Sequence, residues 1–179
     1  MVSSEEEIIE LMNGCVCCTV RQDLIVTIKK LLKMKGKAGD GKPFDAIIIE
    51  TTGLADPAPV AQTFFMDEVI AAKCRLDAII TVVDAKHIIQ HLDEEKPEGV
   101  ENESVEQVAF ADRIVLNKID LVTDINEIAA VKARLRSINS VATIIESDHS
   151  RVDANLLLQI GGFSLDRVME KEPDFLAED

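Results

Sequence analysis

The sequence predicts an α/β domain with a mainly parallel sheet flanked by helices. Short apolar runs alternate with amphipathic stretches along the chain, and short connections join them, as in strand–helix–strand units. A length of 179 residues suits one domain, and a content of 47% hydrophobic and 29% charged residues is ordinary for a globular protein. Unusual polar residues directly follow several predicted strands, where open parallel sheets bind ligands. The sequence therefore predicts a binding site along one edge of the sheet.

The predicted elements alternate in a regular order. We expect strands at residues 8–11, 46–49, 78–83, 114–116 and 143–145. Helices are expected over residues 20–32, from residue 57, at 105–109 and over 128–138. Asp56-Pro57 has the residue types of an N-cap followed by a first helical residue. The uninterrupted apolar character of residues 46–49 and 78–83 predicts strands that are buried on both faces.

The charge balance excludes some classes of partner. The chain has 19 basic and 33 acidic residues, a net charge of −14, and such a surface repels nucleic acid and anionic membranes. Acidity of this kind suits a protein that meets cations, although it also serves solubility. No run of about eighteen apolar residues occurs, which predicts no membrane span. Residues 1–7 are acidic and unlike a signal peptide, so we expect a cytoplasmic protein.

A base-recognition motif follows the predicted strand 114–116. Its residues are Asn117, Lys118, Ile119 and Asp120. Guanine presents two adjacent donors, its ring N1–H and exocyclic amine, and a carboxylate such as that of Asp120 offers two acceptors side by side. Adenine has an acceptor at the ring position, so binding it would leave buried polar groups unpaired. The Lys118 stem can lie on the base plane, and Asn117 can tie the loop to its neighbours. The motif predicts guanine recognition, against the alternative of a surface turn that matches by chance.

A second motif, Glu50-Thr-Thr-Gly53, follows the predicted strand 46–49. A carboxylate such as that of Glu50, at a strand end, can hold Mg²⁺ through water, as in nucleotide hydrolases. Gly53 has no side chain to keep its N–H from a terminal phosphate. The two residues are therefore candidate catalytic residues. The alternative is a strand-to-helix turn that uses small residues for geometry alone.

Three clustered cysteines form a candidate metal site. Cys15, Cys17 and Cys18 place three soft sulfur ligands within four residues, which suits Zn²⁺ and leaves a fourth position open. The alternative is a set of packed or oxidation-prone thiols. Cys74 stands alone and is expected to pack in the core. His87 and His91, one helical turn apart, could bind metal, but incidental histidines on an amphipathic helix are the favoured interpretation.

One stretch, residues 36–43, nearly matches a phosphate-binding loop. Pro43 stands where Ser or Thr should coordinate Mg²⁺, and proline has no N–H to donate to phosphate. The stretch also runs from a helix to a strand, whereas a phosphate-binding loop runs from a strand into a helix. It is interpreted as a connector.

Taken together and in order, these motifs resemble those of a known family. Residues 14–21 (GCVCCTVR), 50–57 (ETTGLADP) and 117–120 (NKID) are similar to the CobW-like P-loop GTPases, which include HypB and UreG. Residues 91–97 look closest to the eukaryotic zinc-regulated GTPase metallochaperones. The likeness covers roughly residues 5 to 170.

The resemblance implies a GTPase that uses GTP, Zn²⁺ and Mg²⁺ and couples its nucleotide state to zinc delivery. The implied recipient is a metalloenzyme, in the eukaryotic subgroup a methionine aminopeptidase, and relatives often form homodimers. By resemblance, Cys15, Cys17 and Cys18 are zinc ligands, residues 117–120 bind guanine, and Glu50 and Gly53 serve magnesium and phosphate. The following helix start would lie near the nucleotide, with Cys18, Thr19, Val20, Arg21 and Gln22.

Two departures from the family limit what the resemblance implies. Family members begin with a strand, a P-loop and a helix, and continue into a C-terminal CobW domain, and neither part is found in this sequence. Residues 1–162 are therefore expected to form a partial CobW/HypB/UreG-type GTP-binding domain, with 163–179 as a C-terminal helix or tail. A truncated chain is the expectation, and hydrolysis of GTP by this chain alone stays open. The alternatives are a cobalt or nickel chaperone for cofactor assembly and a non-catalytic metal-binding or regulatory short form.

Overall fold

A computed structural model describes residues 18–33, 44–171 and 173–177. Its α-helices are α1 (Cys18–Lys33), α2 (Pro57–Met66), α3 (Glu68–Ala71), α4 (Ile88–Leu92), α5 (Glu103–Phe110), α6 (Ile125–Ile138) and α7 (Leu165–Lys171). Its strands are β1 (Ile80–Asp84), β2 (Arg113–Asn117) and β3 (Thr143–Glu146), and short 3-10 helices occupy Ile119–Leu121 and Ala154–Leu156. Among the helices described, none is long and apolar enough to cross a membrane.

The three strands form one parallel sheet in the order β1-β2-β3. Helices α4 and α5 connect β1 to β2, and α6 connects β2 to β3. The main core lies on the helix-covered face of the sheet, where Ile114, Leu116, Val108 and Leu135 are fully buried. Burial of each such side chain stabilises the fold by roughly 1.5–3 kcal/mol. The predicted α/β class, with a parallel sheet flanked by helices, is confirmed.

The predicted strand at residues 46–49 is wrong for this structure. Residues 44–50 belong to neither a helix nor a strand, and Ile48 is 79% exposed, although Ile49 packs against the α1 cluster. A strand forms only when a neighbour satisfies its N–H and C=O groups, and no described segment pairs with these residues. Among the described residues, strand β1 is covered on one face only: Thr81 and Val83 are buried, whereas Val82 is 62% exposed. The expectation of burial on both faces is therefore wrong for this strand as well.

Helices α1, α2 and α3 form a second packed layer. Leu24 and Ile28 of α1 bury against Ile70 of α3, as the apolar spacing of residues 20–32 predicts. Helix α2 begins at Pro57, and the Asp56 carboxylate accepts a hydrogen bond from Ala58 N at 2.8 Å. The predicted cap is confirmed. Cys74 packs against the same cluster, which agrees with its predicted role.

The C-terminal segment packs on the same body. Phe163 stacks on Phe65 of α2 with ring centroids 5.5 Å apart, and Phe175 lies buried against Phe110 of α5. A buried Asp112 carboxylate accepts hydrogen bonds from Ile79 N and from the Arg167 guanidinium of α7. The domain boundary predicted at residue 162 stays a prediction. In this structure the segment beyond residue 162 shares a hydrophobic cluster with the segment before it.

Candidate nucleotide-binding site

The candidate base-reading residues lie at the carboxyl edge of the sheet. Strand β2 ends at Asn117, and the parallel register places Asp84, the last residue of β1, beside it. Ala85 N donates to Asn117 O at 2.9 Å, which ties the two strand ends together. Residues 117–120, which we call the guanine loop, therefore start from a fixed point in the sheet.

Asn117 is committed to organising the loop. Its side-chain amide donates to Ser150 Oγ at 2.9 Å, and its Oδ1 accepts from Ser150 N at 2.9 Å. The Asn117 side chain is buried, with 8% of the residue exposed. Ser150 and His149 both have positive φ, 56° and 47°, so the backbone after β3 curls to meet Asn117. The sequence predicted that Asn117 ties the loop to a neighbour; the neighbour, residues 147–150, carried no signal strong enough to single it out.

Lys118 is held by the end of strand β1. Its backbone is left-handed (φ 60°, ψ 34°), and its ammonium lies 2.9 Å from Asp84 Oδ2. His87 Nδ1 lies 3.1 Å from the same oxygen. Burial disfavours the Asp84 carboxylate, but hydrogen bonds from Lys118, His87 and Lys86 N outweigh it and hold the pKa of Asp84 far below its ordinary value of 3.8. Asp84 is a site residue that the sequence analysis did not identify, although its place at a strand end was visible.

Asp120 is presented differently. It lies in the 3-10 helix Ile119–Leu121, is exposed, and accepts no hydrogen bond and forms no ion pair with any residue of the described ranges. A carboxylate that is free on a loop fixed at Asn117 and Lys118 can offer both oxygens to a pair of donors. The role of these four consecutive residues in base recognition stays a prediction.

The segment around Glu50 and Gly53 is more loosely held. In residues 50–56, which we call the Glu50 loop, Glu50 is exposed and a Cβ added at Gly53 would meet only open space. Gln107 of α5 donates its side-chain amide to Thr52 O at 3.1 Å and to Ala55 O at 2.7 Å. Glu50 offers Mg²⁺ one carboxylate, and water and nucleotide phosphates are common further ligands of this ion.

The helix start after the cysteines is only partly described. Cys15 and Cys17 lie outside the described residues; Cys18, Thr19 and Val20 contribute backbone to the first turn of α1. The Arg21 guanidinium donates to Gln62 Oε1 of α2 and lies 4.0 Å from Met66 Sδ, and Gln22 is exposed. The structure thus joins Arg21 to α2, and its predicted contact with phosphate stays a prediction.

The described residues contain no further candidate metal site of the size of the Cys15, Cys17 and Cys18 cluster. There, no group of three or more His, Cys, Asp or Glu side chains is gathered as a metal site would require. His87 precedes α4 and faces Asp84, and His91 lies within the same helix.

Comparisons with known proteins place these features in context. The family description "CobW/HypB/UreG, nucleotide-binding domain" matches residues 1–146. The chain is 39% identical over 148 residues to zinc-regulated GTPase metalloprotein activator 1 of Schizosaccharomyces pombe, covering 83% of this chain and 33% of that protein. It is 37% identical over 166 residues to the zinc chaperone YjiA of Escherichia coli K12, covering 92% of this chain and 49% of that one. The chain thus spans at most half the length of these two relatives.

Solved structures agree with the observed fold. A triple mutant of the YjiA GTPase crystallised with Zn(II) superposes with a TM-score of 0.64 at 32% identity, covering 80% of this chain and 41% of that one. Zn(II)-bound YjiA GTPase from E. coli gives a TM-score of 0.61 at the same identity, covering 39% of that chain.

Proposed function

This chain belongs to the CobW/HypB/UreG nucleotide-binding domain family, and from that membership we propose that it reads guanine nucleotides for a zinc-handling GTPase. The observation that carries the proposal is the contrast within the guanine loop. Asn117 and Lys118 are held by protein partners, whereas Asp120 is exposed and without a partner in the described ranges. A fixed loop with one free carboxylate suits the paired donors of guanine.

Zinc is the proposed cargo. Cys15, Cys17 and Cys18 place three thiolate ligands within four residues, and the names of the relatives point to zinc. Three ligands leave a fourth position for exchange, which suits transfer to a recipient metalloenzyme, a methionine aminopeptidase by resemblance. We place this activity in the cytoplasm, with a homodimer as the proposed assembly.

Nucleotide binding and metal binding would be coupled through the layer formed by α1, α2 and α3. Helix α2 starts where the Glu50 loop ends, and α1 starts at Cys18. Arg21 of α1 donates to Gln62 of α2, and the Lys29 ammonium lies 2.6 Å from the Asp67 carboxylate that caps α3. Movement of the Glu50 loop on Mg²⁺ and phosphate binding would therefore shift α2 and, through α1, the position of Cys15, Cys17 and Cys18.

The nucleotide half of the proposal is tested with a fluorescent GDP analogue on the protein at its natural length. Asp120→Asn replaces one acceptor by a donor, so we expect GDP affinity to fall roughly a hundredfold or more, because guanine donors lose their acceptor. Affinity for xanthosine diphosphate, which carries a carbonyl in place of the amine, should rise. Asp166→Asn, the same change at an exposed site in α7, is the control. A wild-type protein that does not bind GDP would contradict the proposal.

The metal half is tested by competition titration with Zn²⁺, Co²⁺ and Ni²⁺. Replacing Cys15, Cys17 and Cys18 by Ser should abolish tight zinc binding, whereas Cys74→Ala should leave it intact. Preference for cobalt or nickel would favour cofactor assembly as the function. The near-match at residues 36–43, in which Pro43 stands where Ser or Thr should coordinate Mg²⁺, motivates a second candidate, a metal-binding or regulatory form without turnover. Zinc binding without GTP hydrolysis at natural length would support that candidate.

A further inference from the structure

The ion pair between Lys118 and Asp84 joins the guanine loop to a different strand. Lys118 Nζ lies 2.9 Å from Asp84 Oδ2, although 34 residues separate the two in sequence. In the proposed function the apolar stem of Lys118 would lie on the plane of the base. A lysine stem rotates freely unless its ammonium is held, and fixing it on binding costs side-chain entropy.

We propose that Asp84 is a positioning residue, which holds the Lys118 ammonium so that its stem is oriented for the guanine base before nucleotide arrives. The inference rests on the proposed function. Lys118 is thereby anchored at both ends, by a left-handed backbone at one and by the carboxylate at the other. Pre-orientation of this kind strengthens binding by lowering the entropy lost in the complex.

The surroundings of Asp84 suit this role. Its backbone is fixed by the register with Asn117, and its Oδ1 accepts from Lys86 N at 2.9 Å, which restricts rotation of the carboxylate. That leaves Oδ2 directed at Lys118 and His87, at 2.9 Å and 3.1 Å. With 24% of its side chain exposed, Asp84 is sheltered enough to keep one orientation.

The alternative is an ordinary surface ion pair. The Lys118 side chain is half exposed, and exposed ion pairs contribute little to stability. Stability therefore cannot distinguish the two interpretations, and nucleotide affinity must be measured directly. Comparing nucleotides with different bases also separates an effect on Lys118 from an effect on Asp120. Asp120 reads the exocyclic amine of guanine, which hypoxanthine lacks, whereas a lysine stem stacks equally on both rings.

The test compares Asp84→Asn with wild type in titrations with fluorescent analogues of GDP and of inosine diphosphate, on the protein at its natural length. We expect a roughly 3- to 10-fold loss of affinity, within the range for the cost of ordering one long side chain on binding. The factor should be the same for both nucleotides, and Asp84→Glu should restore part of it. His87→Ala removes the other partner of Oδ2 and is the control; it should change affinity by no more than about twofold.

A double-mutant cycle with Lys118→Ala completes the test. If Asp84 acts through Lys118, then Asp84→Asn has no further effect in the Lys118→Ala background. Unchanged or tighter binding in Asp84→Asn would overturn the inference, and so would an effect that persists without Lys118. A urea unfolding curve that shows Asp84→Asn fully folded without denaturant, at the pH of the titrations, keeps an affinity loss from being ascribed to unfolding. If that variant does not fold, Asp84→Glu is compared with wild type in the same cycle. Failure of wild type to bind GDP would instead refute the proposed function itself.

Discussion

The guanine loop and the Glu50 loop lie in the same chain but are built differently. The guanine loop continues a paired strand and is tied on one side to Ser150 and on the other to Asp84. The Glu50 loop follows residues that pair with no described strand, and it is held by the Asp56 cap and by the Gln107 amide. Leu54 in its middle is 75% exposed.

The difference separates two tasks of a nucleotide site. Reading a base needs fixed acceptors, because a mismatch is penalised only when the polar groups cannot rearrange. Sensing a phosphate needs a segment that can move between two positions. The loop with more hydrogen bonds to other elements carries the proposed base-reading residues, and the loop with fewer carries the proposed phosphate-sensing glycine.

The largest expected effect is on the better-held loop. Asn117→Ala leaves the Ser150 N–H and hydroxyl without their partner, so we expect unfolding free energy to fall by about 2 kcal/mol. GDP binding should fall below detection because the loop loses its support. Urea unfolding and fluorescence titration measure the two effects.

Ser150→Ala is the matched partner of that variant. It removes the hydroxyl and keeps the backbone N–H that Asn117 Oδ1 accepts, so the loss should be about half as large. Equal stability of wild type and Asn117→Ala would mean that the guanine loop is not held in this way. The proposed difference between the guanine loop and the Glu50 loop would then be wrong.

A smaller effect is expected on the Glu50 loop. Gln107→Ala removes an exposed hydrogen bond to Thr52 O and a partly buried one to Ala55 O, so stability should fall by about 1 kcal/mol. Amide hydrogen exchange at residues 52–55 should speed up while the guanine loop is unaffected. Gln90→Ala, an exposed glutamine of α4, is the control. Equal acceleration in both loops would show that they move as one unit.

The smallest expected effect on stability at neutral pH comes from the charge of Asp84. The folded pKa of Asp84 lies below its ordinary value, so this group stabilises the fold above its unfolded pKa of about 4. That contribution is lost as pH falls from about 4 through the folded pKa. Asp84→Asn should therefore flatten the acid side of a stability–pH curve and leave the curve unchanged in shape above pH 5. An acid limb of the same slope in both proteins would contradict this.

The site residues that the sequence predicted share one property: their role depends on near neighbours in the chain. The guanine loop was predicted because a strand and four residues stand in order, and Asp56-Pro57 because a cap acts within three residues. Helix α1 followed from apolar spacing alone.

The predicted strand that needed a distant partner is not formed in this structure. Residues 46–49 have the composition of a buried strand, but composition does not supply a neighbour to pair with. Arg21 donates to Gln62, 41 residues away, and its predicted contact with phosphate stays a prediction. No local pattern marks such a partner.

The sequence alone determined the fold class, the strand that carries the guanine loop and the residue types that can read a base or bind a metal. Only the tertiary structure decided that Ser150 supports Asn117, that Asp84 holds Lys118 and that Gln107 ties down the Glu50 loop. The physical reason is the separation along the chain of the residues that interact. Periodicity and capping follow from contacts within a few residues, whereas a side-chain hydrogen bond between elements requires that the packing of the whole sheet first bring its two atoms within 3 Å.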